Sequence, residues 1–122
     1  MNPHLELIQN AQAGEPAAIR TLIERNQAIV YRLALSLLDD PVQAADAAKE
    51  TFIAALSRLE DYPGTVAFPT WLYAITVGVC RDRLRRMRLL ERLPRRLRGL
   101  FLRGGHHGLK LLLKDRLALV FW

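Results

Sequence analysis

Apolar residues recur along this chain at helical spacing, and strand-type alternation is nearly absent. Asn2-Pro3 has the form of a cap followed by proline at the first helical position. Leu5, Ile8 and Ala11 then line one side of a short amphipathic helix, which Gly14-Glu15-Pro16 ends. From Pro16 the residues Ile19, Leu22, Ile23, Ile29, Val30, Leu33 and Leu37 follow a period near 3.6, which predicts a second helix of about 22 residues with one apolar stripe. Asp39-Asp40-Pro41 repeats the cap-then-proline signal. It opens a third helix with Val42, Ala45, Ala48, Phe52, Leu56 and Leu59 as its expected buried stripe, and Asp46, Lys49, Glu50, Ile53 and Ser57 on the other face.

Between Glu60 and Phe68 the Pro63-Gly64 pair forces a turn, with aromatic residues at both ends of the segment. Pro69 can open a fourth helix, with Leu72, Ile75, Val79 and Leu84 facing inward and Arg81, Arg85 and Arg88 sharing an outer strip. Past Pro94 the pattern changes. Residues 95–122 combine arginines, the breaker Gly104-Gly105-His106-His107-Gly108 and an apolar close ending in Phe121-Trp122. The expected architecture is all-α: a compact bundle of about four helices over residues 1–94, with a basic, apolar tail over 95–122.

With 51% hydrophobic and 25% charged residues in 122, the composition is that of one small globular domain, which argues against disorder or a disulfide scaffold. Cys80 is alone and cannot make an internal bridge. No secretory leader pattern stands at Met1 and no apolar run approaches the roughly 18 residues of a membrane span, so the chain is expected in a reducing cytoplasm. The net charge of +6 is unevenly placed. Residues 1–50 carry four basic side chains against seven acidic, and residues 51–122 carry fourteen against five. Ten of those fourteen are arginines between Arg81 and Arg103, interrupted only by Asp82 and Glu91. Guanidinium is a planar fork that grips phosphate at two points and stacks on bases, so this block favours a polyanionic partner over a merely solvated face.

Three stretches in order resemble region 2 of bacterial sigma factors of the sigma-70 family, specifically the small extracytoplasmic-function (ECF) group. Ala13-Gly14-Glu15-Pro16-Ala17-Ala18-Ile19 followed by Leu22 is similar to the family's "A-x-G-D-x-x-A-F-x-x-L". Asp46-Ala47-Ala48-Lys49-Glu50-Thr51-Phe52 is similar to "A-E-D-x-x-Q-E-x-F". Trp71-Leu72-Tyr73-Ala74-Ile75 running into Arg81-Asp82-Arg83-Leu84-Arg85-Arg86 is similar to "W-L-x-x-I-A-x-N-x-x-x-D-x-x-R". The resemblance covers about Leu5 to Arg88.

The resemblance implies a helical domain that docks on the clamp coiled coil of the RNA polymerase β′ subunit and opens promoter DNA at the −10 element. By motif position, Asp46, Lys49, Glu50 and Ile53 are the expected polymerase contacts, and an anti-sigma protein is a further implied partner. The 61–70 loop corresponds to the segment that captures a base from the non-template strand. Tyr62 and Phe68 there either stack on single-stranded bases or fill the core, and Arg81, Arg85, Arg86 and Arg88 are the expected phosphate contacts. Trp71 is expected to anchor the helix.

Lys49 stands where family members usually have glutamine, Gly78 where they have asparagine, and Ala45 where the motif has glutamate. Lys49 reverses the local electrostatics of the polymerase face. Residues 95–122 have neither the length nor the pattern of region 4, the helix-turn-helix that reads the −35 element. A competing role is therefore a truncated or degenerate sigma-derived interaction module. Its basic, apolar tail would bind nucleic acid, a membrane surface or a partner protein. No enzyme, cofactor or metal site is expected: His106-His107 lacks partner ligands at zinc spacing, and no phosphate cradle or nucleophile elbow is present.

Overall fold

A computed structural model describes residues 3–96. Within them lie four α-helices and no strand: α1 (Pro3–Gln12), α2 (Pro16–Leu38), α3 (Pro41–Ser57) and α4 (Phe68–Arg92), with a 3-10 turn at Leu59–Asp61. The expected tail over 95–122 lies outside the described residues beyond Arg96. The chain divides between Cys80 and Arg81 into two units, and each is described by itself below.

Proline and glycine set the element ends. Pro16 and Pro41 sit in the first turns of α2 and α3, where a missing N–H costs nothing because those donors have no helical acceptor. After α1, Gly14 adopts φ +89°, its N–H donates to the Ala11 carbonyl at 3.0 Å, and the Glu15 N–H donates to Asn10 at 3.1 Å. That pair of bonds is a Schellman cap, and a left-handed residue there favours glycine. Asp39 closes α2 in the same left-handed region, at φ 54°. Asp40 then caps α3, its carboxylate accepting from the N–H groups of Val42 at 2.9 Å and Gln43 at 3.1 Å.

In the first unit α2 packs most extensively on α3, α1 packs on α2, and the 3-10 turn touches α1 and α3. The start of α4 lies along α2, where Pro69, Leu72, Tyr73 and Thr76 share a shallow groove with Asn26, Ile29, Val30 and Leu33. Burial follows lines of fourth residues. On α2 they are Ala18, Leu22, Asn26, Val30, Ala34 and Leu38; on α3 Ala47, Thr51 and Ala55; on α4 Phe68, Leu72, Thr76 and Cys80. Such rows are the ridges by which helices interlock. Each line contains one buried polar residue, and each satisfies itself on the carbonyl four residues earlier. Asn26 Nδ2 donates to Leu22, Thr51 Oγ1 to Ala47 and Thr76 Oγ1 to Leu72, all at 2.8 Å. A buried hydroxyl or amide so satisfied avoids the desolvation cost of an unpaired one.

Three expected stripes are corrected. On α3, Val42 and Ala45 are exposed, Val42 at 71%, and Ala48 and Leu56 are half-buried; Ala44, Ala47, Thr51, Phe52 and Ala55 are buried instead. The apolar residues of α3 spread over more than half its circumference, so hydropathy did not fix which of them face the core, whereas packing did: the small side chains let α2 approach closely. On α2, Ile29 and Leu37 of the expected stripe are exposed, Ile29 at 54%. Inward positions on α4 shift likewise, with Ile75, Val79 and Leu84 half-buried and Thr76 and Cys80 fully enclosed.

Candidate functional site

Asp46, Lys49, Glu50 and Ile53 lie on the side of α3 turned away from its buried line, Asp46 and Lys49 exposed and Glu50 and Ile53 half-buried. Val42 stands one turn before Asp46 and continues the same outward strip, which therefore offers two apolar side chains among three charges. Along the helix Asp46, Lys49 and Glu50 lie between Val42 and Ile53, so the strip interleaves charged and apolar side chains, a mixture suited to docking on another protein. Sequence periodicity missed Val42 because a valine at helical spacing is indistinguishable from a core residue.

The segment after α3 is held by side-chain bonds. Gln12, half-buried at the end of α1, donates through Nε2 to the Leu59 carbonyl at 3.1 Å and to the Tyr62 carbonyl at 3.3 Å, so residues 47 and 50 positions away are tied to the first helix. The Tyr62 hydroxyl donates to the Val66 carbonyl and closes the turn containing Pro63 and Gly64, the latter at φ +76°. Its ring stands edge-on to Phe68, with centroids 5.5 Å apart, and 5.1 Å from Trp71; Phe68 and Trp71 are 5.6 Å apart. Tyr62 is 8% exposed and Phe68 5%, so both rings fill the base of the loop. Of the two roles open to them, packing is the one this conformation displays. What the loop presents outward is Pro63, Gly64, Thr65, Val66 and Ala67, all exposed, with Trp71 half-buried beside the cluster. No sequence signal marked Gln12.

α4 continues through Arg92, and its part beyond Cys80 belongs to the second unit. Here Arg81, Arg85 and Arg88 are exposed, in agreement with the expected outer strip, whereas Arg86 is half-buried and takes part in an interaction within the protein. Arg92 in the last turn is exposed as well. Cations at a helix C-terminus also meet the negative end of the backbone dipole, so arginines are cheap to hold there. Among the described residues no group of three or more histidine, cysteine or acidic side chains could hold a metal, and no helix is long and apolar enough to cross a membrane.

Residues 22–89 match Sigma-70 region 2, a stretch that includes the outward α3 strip, the aromatic loop and α4 as far as Leu89. The chain belongs to the sigma-70 region 2 family. Curated relatives are ECF sigma factors and similar proteins. The chain is 32% identical over 79 residues to RNA polymerase sigma-H factor of Pseudomonas aeruginosa, covering 65% of this chain and 41% of that protein. It is 28% identical over 79 residues to the ECF RNA polymerase sigma factor SigW of Bacillus subtilis, covering 65% and 42%. To the ECF RNA polymerase sigma-E factor of Escherichia coli it is 33% identical over 78 residues, covering 64% and 40%. The chain thus matches about two fifths of the length of these relatives, and the matched part is region 2. As a region 2 domain it keeps every expected contact residue, Asp46 through Arg88, inside the matched segment; Gln12 and Arg92 fall outside it.

Proposed function

We propose that this region 2 domain takes part in transcription initiation by docking on core RNA polymerase and binding the separated non-template strand of the promoter −10 element. The outward strip of α3, with Asp46, Lys49, Glu50 and Ile53, meets the β′ clamp coiled coil. The exposed 63–67 tip, shaped from beneath by Tyr62 and Phe68, receives bases, and Arg81, Arg85 and Arg88 hold phosphates. The observation that carries this reading is the family match over 22–89, which contains all of these residues. The exposure of Asp46, Lys49, residues 63–67, Arg81, Arg85 and Arg88, and the charge of those that carry one, support it independently. The work is binding rather than chemistry: affinity for the strand comes from arginine–phosphate contacts, while the order of bases is read by the loop. Such a domain acts in the cytoplasm, where an anti-sigma protein would compete for the same docking surfaces.

The test is binding of the purified chain to an isolated β′ clamp coiled coil, comparing the native protein with Asp46→Arg and Ile53→Glu. Saturable binding at micromolar concentrations or tighter, lost in both variants while their helical circular dichroism is unchanged, is the expected result. A folded native chain that does not bind the coiled coil at all would refute the docking role.

A further inference from the structure

We propose that Arg92 is a phosphate-binding residue, the last of four arginines (Arg81, Arg85, Arg88 and Arg92) that form one continuous strip for the backbone of a nucleic acid strand, and that Arg86 lies outside it. The proposal rests on the strand-binding role given to α4 above. It adds a contact beyond the segment that matches the family, which stops at Leu89.

Exposure along this part of α4 divides by helix side, with Leu84, half-buried between Glu91 and Arg88, the one exception. Arg81, Asp82, Arg85, Arg88, Leu89, Glu91 and Arg92 are exposed, and Arg83, Leu84, Arg86, Met87 and Leu90 are half-buried. At about 100° per residue the four named arginines fall within about 60° of arc, at the centre of the exposed side. Asp82 and Leu89 flank them on one edge, and Leu84 and Glu91 on the other. Arg86 projects about 140° away from Arg81, on the half-buried side. The strip rises about 16 Å from Arg81 to Arg92. At about 3.4 Å per nucleotide of a stacked strand, that length runs beside about five phosphates.

The spacing argues against a merely solvated surface. Steps of four, three and four residues make each successive pair direct neighbours on the helix, and like charges at those separations repel. A helix selected for solubility alone alternates signs at these positions. Here the acidic residues Asp82 and Glu91 stand at the edges and leave the middle of the strip entirely cationic. A polyanion relieves that repulsion, and guanidinium supplies the two-point geometry that phosphate accepts.

The experiment uses the full chain and a fluorescein-labelled single-stranded DNA of mixed sequence and about 15 nucleotides, long enough to cover the strip. Anisotropy titrations run between about 50 and 200 mM salt, and the slope of log affinity against log salt is compared among variants. Arg92→Gln is expected to flatten the slope by about 0.7, the contribution of one phosphate contact on a single strand. Arg86→Gln and Arg25→Gln each remove the same charge from elsewhere, Arg25 from the exposed surface of α2, and are expected to leave the slope unchanged. If Arg86→Gln loses helical signal, Arg25→Gln alone serves as the charge-matched control. An unaltered slope in Arg92→Gln, or an equal flattening in Arg25→Gln, overturns the assignment, because either outcome leaves only net charge at work. Those outcomes keep the strand-binding role intact. A native chain that fails to bind the oligonucleotide at any salt overturns both.

Discussion

Replacing Tyr62 with phenylalanine removes one oxygen and leaves the ring contacts with Phe68 and Trp71, at 5.5 and 5.1 Å, in place. The lost interaction is the bond from the hydroxyl to the Val66 carbonyl. Val66 is exposed, so its carbonyl regains water and is not orphaned. The cost is then about 1 kcal/mol, the net contribution of an ordinary intramolecular hydrogen bond. For a domain of this size that lowers the melting temperature by about 5 °C. Tyr62→Ala, by contrast, empties the centre of the aromatic cluster and is expected to cost about 3–5 kcal/mol, a large share of a typical domain's stability. Thermal unfolding followed by circular dichroism measures both. Unchanged melting in Tyr62→Phe would refute the view that this hydroxyl closes the loop.

Two further substitutions test the helical scaffold. Gly78 lies mid-way along α4, exposed, with no heavy atom within 4 Å of where a Cβ would sit. Gly78→Ala is therefore expected to raise stability by about 1 kcal/mol, seen as a higher urea midpoint at constant m-value; a drop would mean that the position meets something in the folded protein. Asp40→Ala removes the acceptor for two amides at the start of α3 and is expected to cost about 1 kcal/mol, most of it restored in Asp40→Asn; equal stability of Asp40→Ala and the native chain would contradict the cap.

Element boundaries were legible in the sequence because proline, glycine and the aspartate pair act locally. Pro16, Pro41 and Gly14 impose their backbone geometry whatever surrounds them, and the helix ends fall there. The direction each helix faces is a property of packing, and it was legible only in part. The buried lines include Asn26, Thr51 and Thr76, which an apolar-periodicity argument assigns outward. They are tolerated inside because each has its own carbonyl acceptor one turn back, a satisfaction that needs no partner from another element. Conversely, Val42, Ile29 and Leu37 fit an apolar period and still end exposed, because α2 and α3 carry more apolar residues than one interface can cover. Asp46, Lys49, Glu50 and Ile53 were placed correctly on an outward face by charge and motif together. Helical spacing put Arg81, Arg85 and Arg88 on one outer strip, and Arg86 was added to them as a phosphate contact only by motif position; it is half-buried.

The aromatic loop shows how residue type alone leaves a role open until packing is seen. A tyrosine and a phenylalanine flanking a Pro-Gly turn have the chemistry to stack on bases, yet in this conformation they spend their faces on each other and on Trp71. Gln12 adds a second restraint from α1, fixing the carbonyls of Leu59 and Tyr62. A loop tied at its base and at Val66 has fewer conformations to lose when a ligand binds, which lowers the cost of ordering it. On the proposed function, the tip then contributes shape and the arginines contribute salt-dependent affinity. The two contributions are separable: loosening the loop through Tyr62→Phe should weaken strand binding without changing its salt slope, whereas removing an arginine from the strip should change the slope.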